Sequence, residues 1–94
     1  MDVKFEQSET KGSFFVEENG QRLATMSFSK AGNDLLIIDH TEVSDSLRGK
    51  NVGKQLVTAA VEHARKNNIK IIPLCPFAKS VFDRVKEYQD VLKQ

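Results

Sequence analysis

Arg48-Gly49-Lys50-Asn51-Val52-Gly53-Lys54 is the stretch on which the reading of this 94-residue chain turns. Before it runs an extended segment, Leu35 to Val43, that opens with four consecutive aliphatics. After it a helical pattern runs from Val52 to about Lys66. A strand that turns into a helix through residues able to take left-handed angles aims several backbone N–H groups at one point. The helix dipole adds partial positive charge there, so the point suits an anion, phosphate above all. Arg48, Lys50 and Lys54 add full charges around it. Asn51 also suits such a turn, since Asn is the ordinary residue best able to adopt left-handed geometry.

Two other motifs fail on the same residues. A Walker A loop ends in Gly-Lys-Ser/Thr, but Gly53-Lys54 is followed by Gln55, which cannot offer a hydroxyl to magnesium. A KH module needs Gly-x-x-Gly, whereas Gly49 and Gly53 are separated by three residues. A surface turn with incidental charge is the alternative this loop alone leaves open.

Working outward toward the N-terminus, Val3 to Gln7 and Gly12 to Glu18 read as strands, the second with Phe14 and Val16 on one face and Ser13, Phe15 and Glu17 on the other. Asn19-Gly20 supplies the two left-handed residues of a type I′ hairpin. A third strand, Arg22 to Ser29, carries Ala24, Met26 and Phe28 on one face, and Lys30 to Asp34 is a second turn. The aliphatic start of Leu35 to Val43 predicts a central strand covered on both faces. Asp45-Ser46 reads as a turn or cap.

On the C-terminal side, Val52, Leu56, Val57, Ala60, Val61 and Ala64 form one stripe at helical period, and Asn67-Asn68 is a stop signal. Ile69 to Cys75 predicts a fifth strand, parallel to the fourth through a right-handed crossover, with Pro73 weakening its end and Pro76 closing it. Phe77, Val81, Phe82 and Val85 then space as one face of a second helix, and Glu87 to Gln94 as a final turn or short helix. The expected architecture is α+β in one domain, residues 1–94: a mixed five-stranded sheet and two main helices.

Composition bounds the function. Hydrophobic residues are 39% and charged residues 29%, which marks a folding chain rather than a disordered one. A net charge of +1 gives no ground for nucleic-acid or membrane-surface binding, and the sheet is expected to lack surface aromatics for RNA. No apolar run approaches the roughly 20 residues needed to span a bilayer. Met1-Asp2-Val3-Lys4 lacks a signal-peptide core, and the single Cys75 has no intramolecular partner. These features predict a cytoplasmic protein, monomeric or weakly dimeric. His40, His63 and Cys75 do not show metal-ligand spacing, and His63 is expected at the surface.

The pattern Arg48-x-x-Asn51-x-Gly53 resembles the pyrophosphate loop of the GNAT superfamily of acyl-CoA N-acyltransferases, usually Arg/Gln-x-x-Gly-x-Gly/Ala. His40-Thr41-Glu42-Val43, Leu47-Arg48-Gly49-Lys50, Pro73-Leu74-Cys75-Pro76-Phe77 and Glu87-Tyr88-Gln89-Asp90 together resemble the small single-domain GNAT-like acetyltransferases of bacteria and some eukaryotes. The resemblance implies acetyl-CoA or coenzyme A binding and transfer of an acetyl group to an amine, with the acceptor undefined. It implies a fourth and fifth strand that splay apart, with the pantetheine arm pairing to Thr41, Glu42 and Val43. It implies diphosphate contacts from Arg48, Gly49, Lys50, Asn51, Val52, Gly53 and Lys54, and a cofactor contact at Cys75. Only Ser8 to Lys11 separates the first two strands, so the helices that usually build an acceptor pocket there are missing. A non-catalytic acyl-CoA sensor of the same fold is therefore the second expectation.

For the chemistry, the resemblance implies Asn after strand five, then Ala, then a proton-donating Tyr; here Cys75, Ala78 and Phe82 hold those places. Phe82 has no hydroxyl. Cys75 could donate the proton, or act as nucleophile with its thiolate favoured by the helix N-terminus, or be a small buried hydrophobe. His40 and Glu42, two apart on one strand face, are the candidates for deprotonating and holding the amine, against a core histidine and a solvated carboxylate.

Overall fold

The computed structural model describes residues 2–93. Its sheet has the order β1 (Lys4–Gln7), β2 (Lys11–Glu18), β3 (Gln21–Lys30), β4 (Leu35–Val43) and β5 (Lys70–Pro73). The first four strands are antiparallel neighbours and β4 pairs β5 in parallel. Asn19 at φ 53° and Gly20 at φ 78° make the hairpin that the Asn-Gly pair predicts.

Helix α1 (Val52–Asn67) buries the six residues of the predicted stripe. Full burial of each larger aliphatic among them contributes about 1.5–3 kcal/mol. The helix stops at Asn68, which adopts left-handed angles (φ 57°) and donates its N–H to the Ala64 carbonyl. Helix α2 (Pro76–Arg84) begins on a proline, whose missing N–H costs nothing in a first turn. Both helices pack on the sheet face that carries Phe14, Val16, Ala24, Met26, Phe28, Leu36 and Ile38.

Among the described residues the opposite sheet face carries no helix, and this corrects one expectation. β4 is central in the sheet but covered on one face only: Leu36 and Ile38 are buried, while Leu35 and Ile37 are half-buried. The open face does carry an aromatic, Phe15, but the Arg22 guanidinium covers it at 3.8 Å from the ring centroid. β5 is shorter than Ile69 to Cys75, since its chain turns away after Pro73.

Two side chains also depart from expectation. His63 is not a surface residue. It is half-buried under the rings of Phe5 and Phe14, with centroids 4.7 and 5.8 Å away. Burial, then Lys30 and Lys66, push its pKa below the ordinary value. Phe77 is not on the buried stripe of α2, which consists of Ala78, Val81 and Phe82. The C-terminal segment forms a 3-10 turn, Lys86–Val91, after which Leu92 bridges Ile71 beyond β5.

Candidate functional site

The site is set by where β4 and β5 part. Their rungs run from Leu35–Lys70 to Ile38–Pro73 and end there. The amides of Leu74 and Cys75 both turn onto the Ile38 carbonyl, at 3.0 and 3.2 Å. Proline has no N–H to continue the ladder, so the strand ends as its chemistry requires. Among the described residues, His40 to Val43 is therefore paired only to β3, and the other edge from Asp39 onward is open.

An extra residue changes which side chains face the gap. Ser27 pairs His40 and Phe28 pairs Ile38, so Asp39 is a β-bulge. Past it the alternation is inverted. Thr41 and Val43, opposite the core residues Met26 and Ala24, join the helix-covered face. His40 and Glu42 turn to the open face, where His40 Nε2 lies 3.0 Å from Glu42 Oε1 and both side chains are exposed.

After β4, Ser44 caps a 3-10 turn, Asp45–Leu47, its Oγ accepting from the Ser46 amide; Asp45 and Ser46 are thus inside the turn. Leu47 is buried and anchors the loop. Gly49 (φ 83°) and Asn51 (φ 60°) take the left-handed angles the loop needs. Asn51 gives α1 no side-chain cap, so the first-turn amides of Val52, Gly53 and Lys54 are left facing outward with their partial charge.

A cavity of about 330 Å³ collects these parts. β4 lends Thr41 and Val43; the loop lends Leu47, Arg48, Gly49 and Asn51; α1 lends Val52, Gly53 and Lys54. Arg48 is paired with Asp45 at 2.8 Å in a fully solvated bridge, a weak hold that a bound anion can replace. Lys50 does not line the cavity; its carbonyl accepts from Gln55 Nε2.

Phe77 and Arg84 of α2 also line the cavity, and no local pattern singles them out. Their signal is tertiary. A Cβ on residue 53 would stand 2.7 Å from Phe77 Cε2, so Gly53 leaves room for that ring.

Cys75 sits behind Thr41, buried, with its thiol 3.4 Å from Thr41 Oγ1. Burial raises its pKa, but the Thr41 hydroxyl and the Ala78 and Phe77 amides outweigh burial and hold it below the ordinary thiol value. Phe82 is buried. Tyr88, the chain's one tyrosine, bonds Thr58 Oγ1 at 2.6 Å on the flank of α1 and does not line the cavity.

The family model for GCN5-related N-acetyltransferases matches residues 13–91. The chain belongs to that family. It is similar to a GCN5-like protein from Staphylococcus aureus, with 44% identity over 96% of this chain and 87% of that one, TM-score 0.70. More distant likenesses share the fold. One is a ribosomal-protein-alanine N-acetyltransferase from Brucella melitensis, 18% identical over 93% of this chain and 64% of that one, TM-score 0.64. Another is an acetyltransferase from Clostridium acetobutylicum solved with acetyl-CoA, 19% identical over 80% of this chain and 56% of that one, TM-score 0.63. No curated protein matches the chain. Among the described residues no helix is long and apolar enough to cross a membrane.

Proposed function

We propose that this GCN5-related protein binds acetyl-CoA and transfers its acetyl group to an amine. The observation that carries the reading is the open edge of Asp39 to Val43 leading into the 330 Å³ cavity beneath the uncapped start of α1. An extended pantetheine arm can add to that edge as a strand does, through main-chain bonds at Thr41, Glu42 and Val43. The diphosphate then meets the amides of Gly49 and of Asn51 to Lys54, with Arg48 and Lys54 supplying full charge and Lys50 adding to the field.

At the other end the thioester lies near Cys75. In this reading the Cys75 thiolate attacks the acetyl carbon, the C–S bond to coenzyme A breaks, and its electrons leave on the coenzyme sulfur, which takes a proton. An amine that has lost one proton to the His40–Glu42 pair then attacks the acetyl carbon, the C–S bond to Cys75 breaks and returns the thiolate, and the second proton leaves the nitrogen to replace the one taken up by the coenzyme sulfur. A thiol poised this way must stay reduced, which suits a cytoplasmic setting.

Incubation with acetyl-CoA followed by mass spectrometry should show one labile acetyl on Cys75, and Cys75→Ser should abolish it. No adduct together with intact turnover in the variant would leave Cys75 as a proton donor or packing residue. The second reading, an acyl-CoA sensor without turnover, is favoured by Phe82 at the proton donor's place and by Tyr88 lying outside the cavity. Coenzyme A bound but never released as free thiol with any amine would establish it.

A further inference from the structure

The cavity beside the loop holds one more cation than a diphosphate engages. Arg84, in the last turn of α2, lines it from the second helix rather than from the loop or α1. Arg48 is bonded to Asp45, but among the described residues Arg84 is paired with no carboxylate. Its Nε donates to the Ser80 carbonyl at 3.3 Å. A guanidinium has five N–H donors, so both terminal nitrogens stay free for an acceptor. The side chain is exposed and faces a cavity with charge to spare.

Its position along α2 is informative. Cys75 is the residue before the helix, so α2 starts at the thiol and runs away from it. Phe77, in the first turn, reaches α1 at Gly53, where a Cβ would stand 2.7 Å from its Cε2. The two helices therefore meet where the α1 amides face outward. Arg84 follows Phe77 by about two helical turns and shares its side of α2. The bond to Ser80 leans the side chain back toward the helix start, which brings the guanidinium to about one turn, roughly 5 Å along the axis, from Phe77. The order along the helix is thiol, apolar ring, cation.

Coenzyme A has the same order. From its sulfur the pantetheine runs to the diphosphate, and the diphosphate to a ribose that bears adenine and a 3′-phosphate. One sugar separates that third phosphate from the other two. We infer that Arg84 binds the 3′-phosphate, so that α2 selects the acyl donor by the end that the loop does not touch. The inference rests on the acetyl-CoA reading above. With the diphosphate on the α1 amides, Arg48 and Lys54, the ribose passes Phe77, whose exposed ring offers the purine an apolar surface. The two terminal nitrogens of Arg84 then face phosphate oxygens, the fork geometry a guanidinium suits. Arg84 lies at the far end of α2 from Cys75 and takes no part in the transfer itself.

The test is calorimetric affinity for coenzyme A and for dephospho-coenzyme A, which differ only in the 3′-phosphate. Wild-type protein should bind coenzyme A roughly three- to tenfold more tightly at low salt. Arg84→Gln should lower coenzyme A to the dephospho level and leave dephospho-coenzyme A unchanged, while Arg84→Lys should keep a preference. If Arg84→Gln proves too unstable, the wild-type Arg84 Nε–H resonance should shift further with coenzyme A than with the dephospho form. Equal wild-type affinities, a preference that survives Arg84→Gln, or equal shifts of that resonance would overturn this inference and leave the cofactor reading standing. Failure of the wild-type protein to bind either form would overturn both.

Discussion

β4 holds two different environments within nine residues. Leu35 to Ile38 is flanked by β3 and β5 and sends Leu36 and Ile38 into the core at 2% and 0% exposure. His40 to Val43 keeps β3 alone, and Val43 is 39% exposed. One extra residue, Asp39, separates them. The first half spends its backbone groups on the sheet and its side chains on the core. The second keeps one backbone edge and a cavity wall unspent, which is what a ligand needs. Core packing and an open edge are thus divided along a single strand rather than between separate elements.

The largest effect should fall on the zipped half. Ile38→Ala should destabilise by about 2–5 kcal/mol, as a fully buried aliphatic truncated to a cavity does. Val43→Ala, at an exposed position, should cost less than about 1 kcal/mol. Urea unfolding measures both, and equal costs would break the division.

The next effect belongs to the loop that extends the open half. Replacing Arg48 and Lys54 together by Ala should weaken coenzyme A binding about ten- to hundredfold at low salt, the scale of losing charge-assisted bonds of roughly 1.5–3 kcal/mol. The loss should shrink as salt screens the wild-type contacts. The unfolding midpoint should hardly move, because the Arg48–Asp45 bridge is exposed. Calorimetry with unchanged affinity would remove the anchor from the loop.

The zipped half was legible in sequence and the open half only partly. The Asn-Gly turn and the six apolar residues at helical spacing each encode local structure and form as read, and the four consecutive aliphatics form their strand, though one face of it is left uncovered. Asn51 takes left-handed angles because that preference is its own. The bulge at Asp39 has no glycine or proline to announce it; it comes from registering β4 against β3, so its inversion of the faces was not visible. Phe77 has the right spacing for the buried stripe but lies in the first turn of α2, where the room above Gly53 lets it lean to the cavity. His63 sits next to Glu62 on a polar helix edge, and the sheet covers it through Phe5 of β1 and Phe14 of β2. Arg84 joins the cavity because α2 is placed there, which no local pattern states.

That last group sharpens the comparison at a smaller scale. Gly53→Ala should destabilise by about 1–3 kcal/mol, since a methyl would stand 2.7 Å from the Phe77 ring and overpacked sites cost that much. In a Phe77→Ala background the same substitution should cost little, and a double-mutant cycle would read the difference as coupling between loop and helix. Additive costs would mean that Gly53 serves its own backbone rather than that ring.

The smallest change in stability should come from Thr41→Val, and it tests whether the open half of β4 reaches the thiol. The Thr41 hydroxyl is one of the groups that hold the Cys75 thiolate below the ordinary pKa against the opposing effect of burial. Valine keeps the shape and removes that hydroxyl, so the thiolate loses a donor while burial still disfavours it. The pKa must then rise, and less thiolate remains at neutral pH. Alkylation of Cys75 by iodoacetamide, followed against pH, should shift to higher pH and slow at pH 7, with stability altered by less than about 1 kcal/mol. An unmoved profile would assign the effect to the Ala78, Phe77 and Thr41 backbone groups, and the Thr41 hydroxyl would then have no part in the reactivity of that sulfur.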